Sequence, residues 1–254
     1  MIFRYFIQLS FKGTHFHGWQ SQPNADTIQN FVNKALSTIL HEEISTTGAG
    51  RTDTGVHARY FIAHFDSKKS DLHLNSNYIY RINQLLPTDI ALQKIILMHE
   101  DAHARFDAVS RTYEYYISTV KDPFLKEYSY FYFRDLDDLK MNEASRILFE
   151  FIDFTSFSKL HTDTFTNNCR IMEARWTRNG SCLKFTIKAD RFLRNMVRAI
   201  VGTMIEIVRE NITLADFRKI VAEKNRSSAG FSVPAQGLFL TDIEYPYPLA
   251  NINQ

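Results

Sequence analysis

The chain has 254 residues, room for one large domain or two closely packed lobes at roughly 150 residues per domain, and not for a string of modules. Hydrophobic residues make up 44% and charged residues 23%, with only 9 Gly and 6 Pro, which excludes a largely disordered chain and a collagen-like or low-complexity one. The formal charge is +2, so a nucleic-acid partner has to be argued from where the charge lies and not from its sum.

Phe3, Tyr5, Ile7 and Leu9 alternate with a more polar set that includes Arg4 and Gln8, the period of a half-buried strand. A polar loop runs from Lys12 to Ala25. Ile28, Phe31, Val32, Ala35, Leu36, Ile39 and Leu40 then recur at helical spacing, and Asp26 with Gln29 three residues on predicts an N-cap with a capping box. A glycine-bearing loop follows at Gly48–Gly55, then a strand at Tyr60–Phe65 and a helix near Asn75–Leu86 stopped by Pro87. Strands are expected at Ile90–Leu97 and Arg111–Val120, and a helix around Leu139–Phe151. Asn179-Gly180 predicts a type I′ turn in a hairpin of 169–178 with 181–189, with Arg178 opposite Ser181. In that register Cys182 faces Thr177 and Cys169 lies opposite Asp190, so the two cysteines do not pair and a reducing, cytoplasmic compartment is expected. A helix near Phe192–Val208, a short helix capped by Thr213 and a strand at Leu238–Tyr245 complete the chain.

This order predicts an α+β fold of two lobes, 1–108 with the glycine loop and 109–254 packed tightly on it, with mixed or antiparallel sheet flanked by helices. Arg198, Thr203 and Glu206 interrupt the apolar run Met196–Val208, which therefore reads as a buried helix and not a membrane span. The start of the chain lacks the apolar run of a signal peptide. Residues 170–198 hold eight basic side chains against Glu173 and Asp190, an expected anion-binding face. The aromatic segment Pro123–Phe133 fits either core or a dimer surface.

Three glycines between Gly48 and Gly55 imply a tight loop that another molecule could approach closely, and it holds one carboxylate, Asp53, and one guanidinium, Arg51. A lone aspartate suits covalent or electrostatic catalysis at a sugar C1′ or an activated ring carbon; glycoside hydrolysis calls for two carboxylates. His99-Glu100-Asp101-Ala102-His103 spells H-E-x-x-H, a zinc hydrolase motif when it lies on a helix. Here it follows the strand-like run Ile95–Met98, which disfavours that reading.

Gly50-Arg51-Thr52-Asp53-Thr54-Gly55-Val56-His57-Ala58 resembles the active-site signature of the tRNA pseudouridine synthase A (TruA) family. Gly18-Trp19-Gln20, Leu86-Pro87-Thr88-Asp89-Ile90, His103-Ala104-Arg105-Phe106, Arg111-Thr112-Tyr113-Glu114-Tyr115, Asp153-Phe154-Thr155-Ser156-Phe157, Phe192-Leu193-Arg194-Asn195-Met196-Val197-Arg198 and Gly237-Leu238-Phe239-Leu240 resemble other motifs of that family, in family order over essentially the whole chain. Lys12 and Ser21 depart from it, at positions that are often acidic and basic respectively.

The resemblance implies the pseudouridine synthase fold, with an active-site cleft between the lobes. It implies isomerisation of uridine to pseudouridine in the tRNA anticodon stem-loop, at positions 38 to 40, without cofactor or metal. By the same resemblance Asp53 is the catalytic carboxylate, acting at ribose C1′ or uracil C6, and Arg198 is its basic partner. Tyr113 stacks on the everted uracil, Leu238 packs beside it and Arg51 contacts flanking phosphates. Period two alone makes Tyr113 a core residue with Tyr115 and Ile117. The expected partners are tRNA and a second copy of the chain in a homodimer, and not a membrane. A catalytically silent tRNA-binding protein of the same fold and a zinc hydrolase at His99 and His103 are the alternatives.

Overall fold

The computed structural model describes residues 1–159 and 165–249. Its strands are β1 (Phe3–Phe11), β2 (Thr47–Gly48), β3 (His57–Ser67), β4 (Ile90–Met98), β5 (Ser110–Ser118), β6 (Tyr130–Phe131), β7 (Ile171–Asn179), β8 (Cys182–Ala189) and β9 (Leu238–Glu244). Its α-helices are α1 (Ile28–Leu40), α2 (Ser76–Leu85), α3 (Asp138–Ile147), α4 (Met196–Val208) and α5 (Leu214–Ala222). The sheet is mostly antiparallel and flanked by helices, the α+β class that the sequence pattern predicts. The chain gathers into two compact units. One is Met1–Val109 with the described residues from Leu240 onward, and the other is Ser110–Phe239.

In the first unit β1 pairs antiparallel with β3 on one side and β4 on the other, and β9 lies beside β3. The half-buried strand expected at its start is closed on both faces. Phe6 is as fully buried as Tyr5, Ile7 and Leu9, because its ring stacks at 6.1 Å on His64 and meets Tyr245 edge-on at 5.5 Å. That cover comes from the far end of the chain, which local alternation does not reveal.

Helix α1 buries Ile28, Val32, Ala35, Leu36 and Leu40, as its spacing predicts. The expected capping box at Asp26 is absent. The N-cap is Thr27 without a side-chain bond, and the first helical N–H groups, of Ile28 and Gln29, donate to the carbonyls of Gly18 and Trp19 at 3.1 and 3.0 Å. The preceding loop folds back over the helix start and takes these donors itself, so no side-chain cap is needed. Gln29 then turns inward and bridges the loop to Thr46.

In the second unit β8 lies between β5 and β7, both antiparallel to it, and β6 adds parallel to β5. Helix α3 packs on β7, α4 and α5. Asn179 pairs with Cys182, so the hairpin loop is Gly180-Ser181 and not Asn179-Gly180. Only Gly180, at φ 57°, takes the left-handed conformation there, at no steric cost. From Glu173 to Asn179 the register differs by two residues from the expected one, so those side chains keep their faces and apolar patterning cannot tell the two apart; an irregularity between Ile171 and Glu173 shifts the pairing beyond it. Cys169 and Cys182 are both free thiols.

Helix α4 starts at Met196, four residues later than expected, because Asn195 adopts φ 68° and sends its side-chain amide to Ser232 Oγ at 2.6 Å. Its buried residues run almost all round the helix. Among the described residues no helix is long and apolar enough to cross a membrane. Helix α5 carries the predicted cap at Thr213 in a full capping box with Asp216.

Candidate active site

Asp53 lies in the loop joining β2 to β3, and the polar loop after β1 clamps that segment through its backbone. Trp19 N–H donates to Thr52 Oγ1 at 3.0 Å, Gly55 N–H to Phe16 O at 3.3 Å, and Gly13 N–H to His57 Nδ1 at 3.1 Å. A turn closes the loop from within, where Val56 N–H meets Asp53 O at 3.2 Å. The two loops approach so closely that a Cβ on Gly13 would stand 2.0 Å from Val56 O, and one on Gly18, at φ +82°, 2.2 Å from Thr52 O. The Trp19 ring lies 4.3 Å from that of Phe61 and anchors the clamp in the core. Thr52 is buried, Asp53 is half-buried and Arg51 is exposed. The carboxylate therefore sits on a closely held loop without being sealed into the interior.

In the second unit, Tyr113 on β5 is half-buried and meets the Phe192 ring edge-on at 5.1 Å. Tyr115, next on the same face, is fully buried and donates its hydroxyl to Pro234 O at 2.8 Å. Burial raises the Tyr115 hydroxyl well above its ordinary pKa, and the positive charge of Arg198 works against that shift. Arg198, near the start of α4, donates Nε–H to Val233 O at 2.7 Å, and Val233 N–H donates back to Arg198 O at 3.2 Å. Leu238 follows Gly237, whose Cβ position would lie 2.8 Å from both Tyr115 Cζ and Tyr116 O. Arg198, Tyr115 and the stretch leading to Leu238 thus form one cluster.

Residues 152–246 match the family described as tRNA pseudouridine synthase. The chain is 53% identical to the tRNA pseudouridine synthase A of Bacteroides fragilis over 96% of each chain, and 52% identical to that of Parabacteroides distasonis over 97% of each. The same enzyme of Bacillus licheniformis is 38% identical over 93% of this chain and 97% of its own. The chain belongs to the tRNA pseudouridine synthase A family. It is an isomerase. Its aspartate signature lies on the clamped loop, its tyrosine motif on β5 and its arginine motif at the start of α4.

Two expectations change. Three of the eight basic side chains in the run at 170–198 are taken up by acids. Arg175 pairs with Glu173 at 2.5 Å, Arg178 with Asp138 and Asp135 at 2.9 and 3.2 Å, and Lys184 with Glu114 at 2.8 Å. Glu114, Asp135 and Asp138 lie outside the run in sequence, and the fold brings them against it. The zinc reading loses its premise as well, since residues 99–103 form a turn after β4 and not a helix. His103 Nδ1 accepts the N–H groups of Arg105 and Phe106 at 3.1 Å each, so it serves the turn, and its ring lies 4.6 Å from that of His64. Burial holds the His64 pKa down to about 4 and lowers that of His103 as well.

Sequence reasoning assigned no role to Gln20, Gln29 or Arg105, beyond Gln29 as part of a cap. With Arg51 and Gly50 they line an open cleft in the first unit. The signal was present, since Gln20 and Arg105 each stand inside a family-like motif, but no local pattern places those motifs beside one another.

Proposed function

We propose that this synthase converts uridine to pseudouridine in the anticodon stem-loop of tRNA, at positions 38 to 40, with Asp53 as its catalytic carboxylate. The N1–C1′ bond breaks, the uracil turns and a C5–C1′ bond forms. C5 loses a proton and N1 gains one, so substrate and product have the same composition. Asp53 acts at ribose C1′ or uracil C6. Tyr113 stacks on the everted base, Leu238 packs beside it, Arg198 supplies positive charge to the reacting centre and Arg51 takes a flanking phosphate.

The observation that carries this reading is the clamp on the half-buried Asp53, whose loop is pressed so closely by the loop after β1 that neither Gly13 nor Gly18 could carry a Cβ. A carboxylate fixed in that way suits a reaction in which positioning supplies much of the rate. Asp53→Ala should lower tritium release from 5-tritiated uridine in tRNA by at least about 10³-fold while tRNA binding persists. Substantial turnover by that variant would remove Asp53 from the mechanism. Mapping pseudouridine in total tRNA from cells lacking the protein tests the positions.

A homodimer in the cytoplasm completes the reading. The exposed rings of Phe124 and Phe133 support the dimer, and the free thiols of Cys169 and Cys182 support a reducing compartment. Light scattering should return twice the mass of one chain.

A further inference from the structure

The cleft is shallow and open to solvent, so a ligand there is held by the side chains along its wall and not by enclosure. Its lining holds two arginines, Arg51 and Arg105, two carboxamides, Gln20 and Gln29, and no carboxylate. The ligand that suits this set is anionic and planar: guanidinium groups for a phosphodiester, an amide for a base edge.

The amides are already oriented. Gln29 is buried, with its Oε1 accepting Ser21 N–H at 2.8 Å and Gln20 Nε2 at 3.0 Å, while its own Nε2 donates to Thr46 O at 2.6 Å. That network fixes which end of the Gln20 amide faces Gln29, and leaves the Gln20 oxygen as an acceptor. Arg105 is exposed and its guanidinium carbon lies 5.8 Å from the centroid of Phe106, a ring 76% exposed and stacked at 4.2 Å on His103. An exposed aromatic ring beside a guanidinium is the usual platform for an unpaired base.

Distance along the chain ties this cleft to the chemistry. Arg51 is two residues before Asp53, so their Cα atoms are at most about 7 Å apart. A nucleotide held by Arg51 and Arg105 is therefore a near neighbour of whatever Asp53 acts on.

We propose that this cleft is a subsite for a nucleotide flanking the target uridine, in which Arg105 binds its phosphodiester together with Arg51, and Gln20, set by Gln29, contacts its base. Arg105 and Gln20 are substrate-binding residues in this reading, and Gln29 positions Gln20. The inference rests on the uridine-isomerase reading for its biological sense, but its binding readout stands apart from turnover.

The test uses an unmodified tRNA transcript with the full-length enzyme. Arg105→Ala should raise KM about tenfold, with the effect falling on KM more than on kcat. It should also make the slope of log affinity against log salt shallower by about 1, as expected when one guanidinium no longer meets a phosphate. Arg105→Lys should restore the slope and only part of the KM. Gln20→Ala should raise KM and leave the slope as in the wild type. Unchanged KM and slope in Arg105→Ala with a wild-type melting temperature would overturn the subsite. If Arg105→Ala melts early, Gln20→Ala and Arg105→Lys decide, and wild-type KM in both overturns it equally. Wild-type enzyme that binds the transcript with these slopes but releases no tritium would refute the isomerase reading and leave the subsite standing.

Discussion

Two segments border the candidate site residues, the loop that holds Asp53 and the stretch that leads to Leu238, and they are held by different means. The loop of Asp53 is fastened by main-chain donors. The donors of the clamp are the N–H groups of Gly13, Trp19 and Gly55, and its tightness comes from glycines with no room for a side chain. The stretch 226–237 is fastened mainly by side-chain donors. Arg198 reaches Val233 O, Asn195 reaches Ser232 Oγ, and Arg226 reaches the carbonyls of Ala229 and Gly230. The three donors of the clamp are backbone N–H groups, whereas Arg198 is at once a fastener and a candidate contact for the substrate. The first segment should therefore be sensitive to backbone sterics, and the second to the geometry of its donors.

The largest expected effect breaks the main-chain clamp. Gly18→Ala combines a φ of +82° with a Cβ 2.2 Å from Thr52 O, and should cost about 3 kcal/mol or more and lower kcat with it. Gly50, where a Cβ would meet nothing within 4 Å, is the control: Gly50→Ala should stay within about 0.5 kcal/mol in a denaturant titration. Equal losses from the two would mean that close approach is not what holds the loop.

An acid limb comes next. His64, on the strand that the Asp53 loop leads into, has a folded pKa of about 4, below the ordinary 6.5, because burial disfavours its charged form. The unfolded chain then binds the proton first, so this contribution to stability is complete at neutral pH and is lost as pH falls from about 6.5 toward 4, on the order of 2–3 kcal/mol. His64 Nδ1 accepts Ala104 N–H at 3.1 Å, a bond that an Asn oxygen can also take. His64→Asn should therefore flatten the fall in melting temperature between pH 7 and 4.5, and an unchanged fall would assign it elsewhere.

Thr52→Val leaves the Trp19 N–H without its acceptor in a buried place and should cost about 2 kcal/mol by chemical denaturation. Its kcat should drop with its stability, since the same bond steadies Asp53. Arg198→Lys is the smallest: it keeps the charge but loses the Nε–H bond to Val233 O, for about 1 kcal/mol. If its kcat falls while its stability holds, the fastening role is minor and the substrate role dominates.

The class of the fold, the place of nearly every strand and helix, and the segments that carry the family's motifs are all legible in the residue order. They follow from local causes: apolar periodicity, the Thr213 cap, and glycines where a loop must be tight. How distant segments meet is another matter, and there the folded chain had the last word. Folding set the hairpin register, since both candidate registers present the same faces, and it delayed the start of α4 through the bond from Asn195 to Ser232. It drew Gln29 away from a cap and into the cleft with Gln20 and Arg105, and it matched Arg178 and Lys184 with acids 40 and 70 residues away. Charge and hydrogen-bonding capacity are written in the residues, but their partners depend on which surfaces the fold presses together.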